Sequence, residues 1–148
     1  MGFLVPSLKK TKDVDFGQSA KLQEQLVRLT SKASAPACST ALKKLTALRK
    51  ELPEEPTQRA IEQHVAYWAE LSQFEMRVEG FASLGIKFAW YDSWQVGVLA
   101  SPVKSSGCTL EIASVLFNGA TLALQHGALC HGRNTAESLT EASKSFLR

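Results

Sequence analysis

Apolar residues recur along most of this chain at intervals of three and four, the spacing that lays one stripe along an α-helix. Leu22, Leu26 and Leu29 form the first such set, and Asp15 with Gln18 three positions later supplies a helix-start signal. The pattern therefore predicts a helix over 15–31, broken by the small residues of 31–36. Cys38, Leu42, Leu45, Leu48 and Leu52 predict a second helix. Pro53-Glu54-Glu55-Pro56 ends it, because proline has no amide hydrogen for the next turn. Thr57 is a suitable cap for a third helix with Ile61, Val65, Trp68 and Leu71 on its apolar side. A short proline-rich turn between two such helices predicts an antiparallel hairpin.

The period changes around Gly80 and Gly85. Ile86, Phe88, Trp90 and Tyr91 are bulky and β-prone, with Lys87 and Ala89 between them, which predicts a strand over 84–91. Its expected partner is the apolar segment 3–8, where Pro6 restricts pairing to an edge or a strand end. Residues 96–107, with Pro102 and a Ser-Ser-Gly turn, are expected to be a loop. Residues 109–130 form the longest apolar stretch, with Leu110, Ile112, Leu116, Phe117 and Leu124 distributed nearly all round; this predicts a central, buried helix. Gly119, Ala120 and Ala123 are small enough for a neighbouring helix to come close. Gly132 closes this helix, and Asn134 with Glu137 opens a last one that still carries apolar residues at Phe146-Leu147. The expected fold class is mostly α: helical hairpins with a small N-terminal β-sheet.

Composition narrows the function classes. At 148 residues, 45% hydrophobic and 21% charged, the chain is one domain or part of one, with enough apolar material for a core. No apolar run approaches the ~20 residues a membrane span needs. The start lacks a basic n-region, and Pro6 stands where a myristoylation signal wants Ser or Thr. Cys38, Cys108 and Cys130 are an odd, widely spaced set without a CxxC pair, which favours free thiols in a reducing cytoplasm. Residues 1–50 hold ten Lys/Arg against three Asp/Glu, and residues 51–148 seven against eleven, so charges of +7 and −4 underlie the net +3. Lys43, Lys44, Arg49 and Lys50 are the candidate basic surface for an acidic partner or an anionic membrane. The solvated face of a helix explains them more simply.

Candidate chemistry is sparse. His126 and Cys130 stand one helical turn apart with His131 adjacent, a spacing able to hold a transition metal. A structural zinc site takes four ligands, and no second pair stands nearby in the sequence, so a core cysteine flanked by helix-end histidines is the expected arrangement. Cys130 or Cys108 with His64 is a conceivable nucleophile pair, but no local signature surrounds either cysteine. Gly80 to Gly85 lacks phosphate-loop spacing, and neither HExxH nor GxSxG occurs. Phe88, Trp90, Tyr91 and Trp94 are not interleaved with basic residues, so strand packing explains them better than nucleic-acid stacking. No catalytic, cofactor-binding or metal-ligating residue is assigned, and no enzymatic activity, cofactor or nucleic-acid partner is expected.

Four segments in order resemble a known family. Leu8-Lys9-Lys10-Thr11-Lys12-Asp13-Val14-Asp15 is similar to the opening of Bro-type domains, the N-terminal modules of Alix-like endosomal adaptors. Phe88-Ala89-Trp90-Tyr91-Asp92-Ser93-Trp94 resembles the family's aromatic strand and its acidic continuation. Ile112-Ala113-Ser114-Val115-Leu116-Phe117-Asn118, followed by Gly119-Ala120, resembles its most recognisable helix. Ala142-Ser143-Lys144-Ser145-Phe146 looks like the entry to its tetratricopeptide-like helical core. The resemblance implies a banana-shaped helical adaptor of the ESCRT pathway, cytoplasmic and peripherally associated with endosomes, that binds the C-terminal helix of an ESCRT-III subunit and uses no cofactor. A Bro-type domain is more than twice this length, so residues 1–148 correspond to its N-terminal portion, and the family's ESCRT-III groove lies on hairpins beyond Arg148. Truncation of a longer reading frame is the favoured explanation. A natural short form that dimerises through an exposed apolar face, and a decaying copy, are the alternatives.

Overall fold

A computed structural model describes residues 6–29, 35–93, 101–132 and 135–146. The first predicted helix is divided in two by its own capping residues. Asp15 Oδ1 accepts from the Gly17 amide at 2.8 Å and starts a single 3₁₀ turn, Phe16–Gln18. Ser19 Oγ then accepts from the Leu22 amide at 3.2 Å and donates to the Leu84 carbonyl at 2.6 Å, which opens α1 (Ala20–Leu29). Two helices follow, α2 (Ala35–Lys50) and α3 (Gln58–Arg77), with Thr57 Oγ1 capping the Ala60 amide at 3.1 Å as expected.

After α3, Gly80 (φ 66°) and Gly85 (φ 79°) take left-handed backbone on either side of the 3₁₀ turn Phe81–Leu84. That turn occupies the start of the predicted strand, so β1 is shorter, Phe88–Trp90. Its antiparallel partner is β2 (Val103–Ser105), in register Phe88↔Ser105, Ala89↔Lys104 and Trp90↔Val103. The expected loop thus contains a strand. The N-terminal segment does reach the other edge of β1, but through residues 10–12: Thr11 bridges Trp90, the Lys12 amide donates to the Ala89 carbonyl (3.2 Å), and the Tyr91 amide donates to the Lys10 carbonyl (2.8 Å). Half of the predicted strand 3–8, residues 3–5, lies outside the described residues; residues 6–8 are not strand.

The long α4 (Cys108–Gly132) is central, packed most extensively against α3 and α5 (Ala136–Phe146). Thr135 and Ser138 cap α5 reciprocally: Oγ1 of Thr135 accepts from the Ser138 amide (3.1 Å) and Oγ of Ser138 from the Thr135 amide (2.9 Å). Asn134, the expected opening residue, is outside the described residues. The core gathers Leu22, Leu42, Leu71, Val115 and three stacked or tilted rings, with Phe88 lying 6.0 Å from Phe16 and 6.3 Å from Phe81. Asn118 ties the N-terminal segment to α4: Oδ1 accepts from the Lys9 amide (2.8 Å) and Nδ2 donates to the Lys9 carbonyl (3.0 Å).

Two predicted faces are corrected. On α3 the buried residues are Ala60, Ile61, His64, Tyr67 and Leu71, and Val65 is exposed, because amphipathic His64 and Tyr67 outcompete it for the inward stripe. The α4 helix is buried on one side only: Val115, Asn118, Leu122 and Cys130 face inward, whereas Leu116, Leu124 and Leu129 are 42%, 43% and 54% exposed.

Candidate functional site

The most polar point of the interior is Glu111, which α4 points into the core with 0% side-chain exposure. Its Oε1 accepts from Arg49 Nε (2.8 Å) and from the Tyr67 hydroxyl (3.0 Å); its Oε2 accepts from Trp90 Nε1 (2.5 Å) and Arg49 Nη2 (3.4 Å). Arg49 comes from α2 with a side chain only 3% exposed. It also donates through Nη1 to the Lys12 carbonyl (2.9 Å) and through Nη2 to Thr11 Oγ1 (2.6 Å). Arg49 therefore does not belong to the basic surface proposed for it: its position on the helix turns it inward, where a carboxylate 62 positions away neutralises it. Lys43, Lys44 and Lys50 do lie on the surface, and Lys44 pairs with Glu70 of α3 at 3.2 Å.

Burial, reinforced by the Glu111 carboxylate, drives the Tyr67 phenol far above its ordinary range, so it stays a hydrogen-bond donor. One carboxylate thus holds together α2, α3, α4, β1 and the N-terminal strand-like segment. With both oxygens occupied by protein donors, the cluster acts as a structural node.

The sulfur–imidazole pairs sort differently. Cys108 lies in the core, where burial and then the carboxylates of Glu75 and Glu111 push its thiol well above the usual range, the opposite of an activated nucleophile. His64 packs where α3 approaches α4, and a Cβ on Gly119 would stand 3.3 Å from His64 Cβ. Its Nδ1 lies 2.9 Å from the Ala60 carbonyl. Cys130 Sγ is placed 3.7 Å from His126 Nε2, and His131 is exposed at the end of α4.

Burial lowers the His64 pKa from its ordinary 6.5, the Ala60 hydrogen bond opposing in part. Below that value the unfolded chain takes up a proton that the folded one resists, so stability falls as pH drops from 6.5 towards the lowered folded value. Urea midpoints collected across this window are expected to fall more steeply for the parent chain than for His64→Gln. Parallel slopes would exclude His64 as the source.

Beside His64 runs an apolar groove of about 730 Å³ between α3 and α4. Ile61, Val65 and Ala69 form one wall, and Leu116, Ala120 and Ala123 the other. Small residues give it depth, and the exposed Val65 and Leu116 form its rims. Its shape and lining suit the apolar stripe of a helix, with anchors every three to four residues. The groove was not named from the sequence; the signal for it is the small-residue run Gly119, Ala120 and Ala123 beside Leu116.

The chain is similar to known proteins in sequence and in fold. Rhophilin-2-A of Xenopus laevis is 36% identical over 146 residues, 97% of this chain and 20% of the relative. Rhophilin-2 of Bos taurus is 32% identical over 148 residues, 98% of this chain and 20% of the relative. The chain thus spans about a fifth of the length of these curated relatives. The structure of ALIX in complex with the SIVmac239 PYKEVTEDL late domain superposes with a TM-score of 0.81 at 25% identity, over 98% of this chain and 22% of that one. The ALIX BRO1–CHMP4C complex gives 0.79 at 25% identity, over 97% and 42%. The mostly helical architecture with its small sheet is that of these structures. The BRO1-like domain profile matches residues 3–148, and the chain belongs to that family.

Proposed function

We propose that this chain is a portion of a non-catalytic adaptor module of the ESCRT pathway, and that it docks an amphipathic helix in the groove between α3 and α4. The groove is the observation that carries this: an apolar trough with leucine and valine rims is built for side chains that leave water, not for bond chemistry. The similarity to the ALIX BRO1–CHMP4C complex supports an ESCRT-III subunit as a partner, without bearing on which groove receives it. This seat is lined by residues of α3 and α4 within the chain itself. No described helix is long and apolar enough to cross a membrane. Attachment to endosomes would therefore rest on protein contacts and on Lys43, Lys44 and Lys50 facing anionic lipid.

Titrating the chain into a labelled ESCRT-III C-terminal helix while following anisotropy is expected to give saturable binding. Leu116→Arg, which places a charge on the groove rim, is expected to weaken it ~10-fold or more. A folded chain that fails to bind would overturn the groove between α3 and α4 as a seat for that helix. Identity is higher to the rhophilins (36%) than to ALIX (25%), which favours a second reading, the same seat serving a different partner helix. The exposed Leu116, Leu124 and Leu129 favour self-association as the remaining outcome, and light scattering of the unliganded chain separates a dimer from an open groove.

A further inference from the structure

We propose that His126, Cys130 and Glu141 form a zinc site that clamps α5 onto α4. Their donor atoms, Nε2, Sγ and a carboxylate oxygen, all lie within 4.8 Å of one another. Two come from successive turns of α4, and the third, which no sequence spacing indicated, is brought back by α5. Bond lengths of about 2.0–2.1 Å to nitrogen and oxygen and about 2.3 Å to sulfur give a tetrahedral site N–O edges of about 3.4 Å and N–S edges of about 3.6 Å. The corresponding separations here are 3.1 Å (His126 Nε2 to Glu141 Oε1) and 3.7 Å (His126 Nε2 to Cys130 Sγ). Both fall within a few tenths of an ångström before any ion is added. The remaining edge, between Glu141 and Cys130, is also within 4.8 Å.

The outer contact is in place as well. His126 Nδ1 lies 3.0 Å from the Pro56 carbonyl, and only an N–H can make that contact. A neutral ring then carries its proton on Nδ1 and turns the Nε2 lone pair toward Cys130 and Glu141. Ligating histidines are oriented by a carbonyl partner in this way. Two electron-rich atoms, Nε2 and a carboxylate oxygen, would otherwise face each other at 3.1 Å. A cation between them would remove that opposition. Sulfur beside them points to a borderline ion of the zinc type, since magnesium and calcium take oxygen donors. On binding, the Cys130 thiol releases its proton to solvent, and water on the exposed Glu141 side completes four ligands.

The test is a titration of the metal-stripped chain with Co²⁺ and then Zn²⁺. One equivalent of Co²⁺ is expected to give the visible bands of tetrahedral cobalt and a near-ultraviolet thiolate charge-transfer band, both abolished by Zn²⁺. Cys130→Ser is expected to remove the charge-transfer band. Glu141→Gln, a change at an exposed position that circular dichroism can show to be folded, is expected to weaken binding ~10-fold or more. Cys38→Ser should leave the spectrum intact. Failure of the folded chain to take up one equivalent would overturn the proposal. Uptake undiminished in Glu141→Gln and His126→Gln would overturn it by placing the metal elsewhere.

Discussion

Arg49→Ala is expected to lower the unfolding free energy by about 3–5 kcal/mol in urea titration, because it leaves Glu111 as an unpaired charge in the interior. The guanidinium makes both inter-helix contacts to the carboxylate and both contacts to the N-terminal segment, so one substitution releases Thr11 and Lys12 as well. Glu111→Ala should cost a similar amount by the reverse route, stranding Arg49 and removing the acceptor of the Tyr67 hydroxyl and the Trp90 indole. A loss of that size is a large share of the ~5–15 kcal/mol that holds a domain together. Lys44→Ala is the control. Its pairing with Glu70 is solvated at both ends, and its removal should cost under about 1 kcal/mol. If Arg49→Ala and Lys44→Ala proved equal, the Glu111 carboxylate would have to be hydrated in solution.

Phe88→Ala is expected to cost about 3–5 kcal/mol, the usual penalty for a phenylalanine removed from a closed core. The ring is fully buried and lies between Phe16 and Phe81, so the cavity would open where the N-terminal turn, the glycine-bounded turn and β1 converge. Those neighbours belong to different elements, Phe16 in the turn capped by Asp15 and Phe81 in the turn bounded by Gly80 and Gly85, which limits collapse into the void. Phe88→Leu keeps most of the volume and should cost less than about 1.5 kcal/mol. Chemical denaturation of the pair decides it: equal losses would show that ring geometry, not volume, sets the penalty.

The helices were legible because a stripe of leucines at helical spacing has few other ways to leave water, and the Thr57 cap stands next to its helix in the chain. What escaped was set by distant partners. Val103-Lys104-Ser105 is a strand only because β1 offers it an unpaired edge; its own residues are polar or exposed. Arg49 sits among lysines in sequence, and nothing local distinguishes it from them. The inward phase of α3 was misjudged by ranking residues on apolarity, when Tyr67 is wanted for its hydroxyl as well as its ring. The groove and the His126–Cys130–Glu141 cluster each need two helices to be placed before they exist. The family resemblance was readable because its residues, Thr11, Trp90 and Asn118 among them, are those that bind the N-terminal segment, β1 and α4 together.

The Lys9–Asn118 pair spans 109 positions, and this sets a timetable for biosynthesis. At about 5–20 residues per second, a ribosome delivers Asn118 roughly 5–20 s after Lys9. Throughout that delay α1 and α2 can form and meet, but the opening segment has no amide side chain to fasten it, and Arg49 waits for the same stretch of chain to bring Glu111. Contacts of such long range also slow closure once synthesis is complete. The nascent protein therefore emerges with a charged side chain and aromatic rings still lacking their partners. Pulse proteolysis of stalled nascent chains should find the N-terminal segment cleavable until residue 118 has cleared the exit tunnel, and protected soon afterwards.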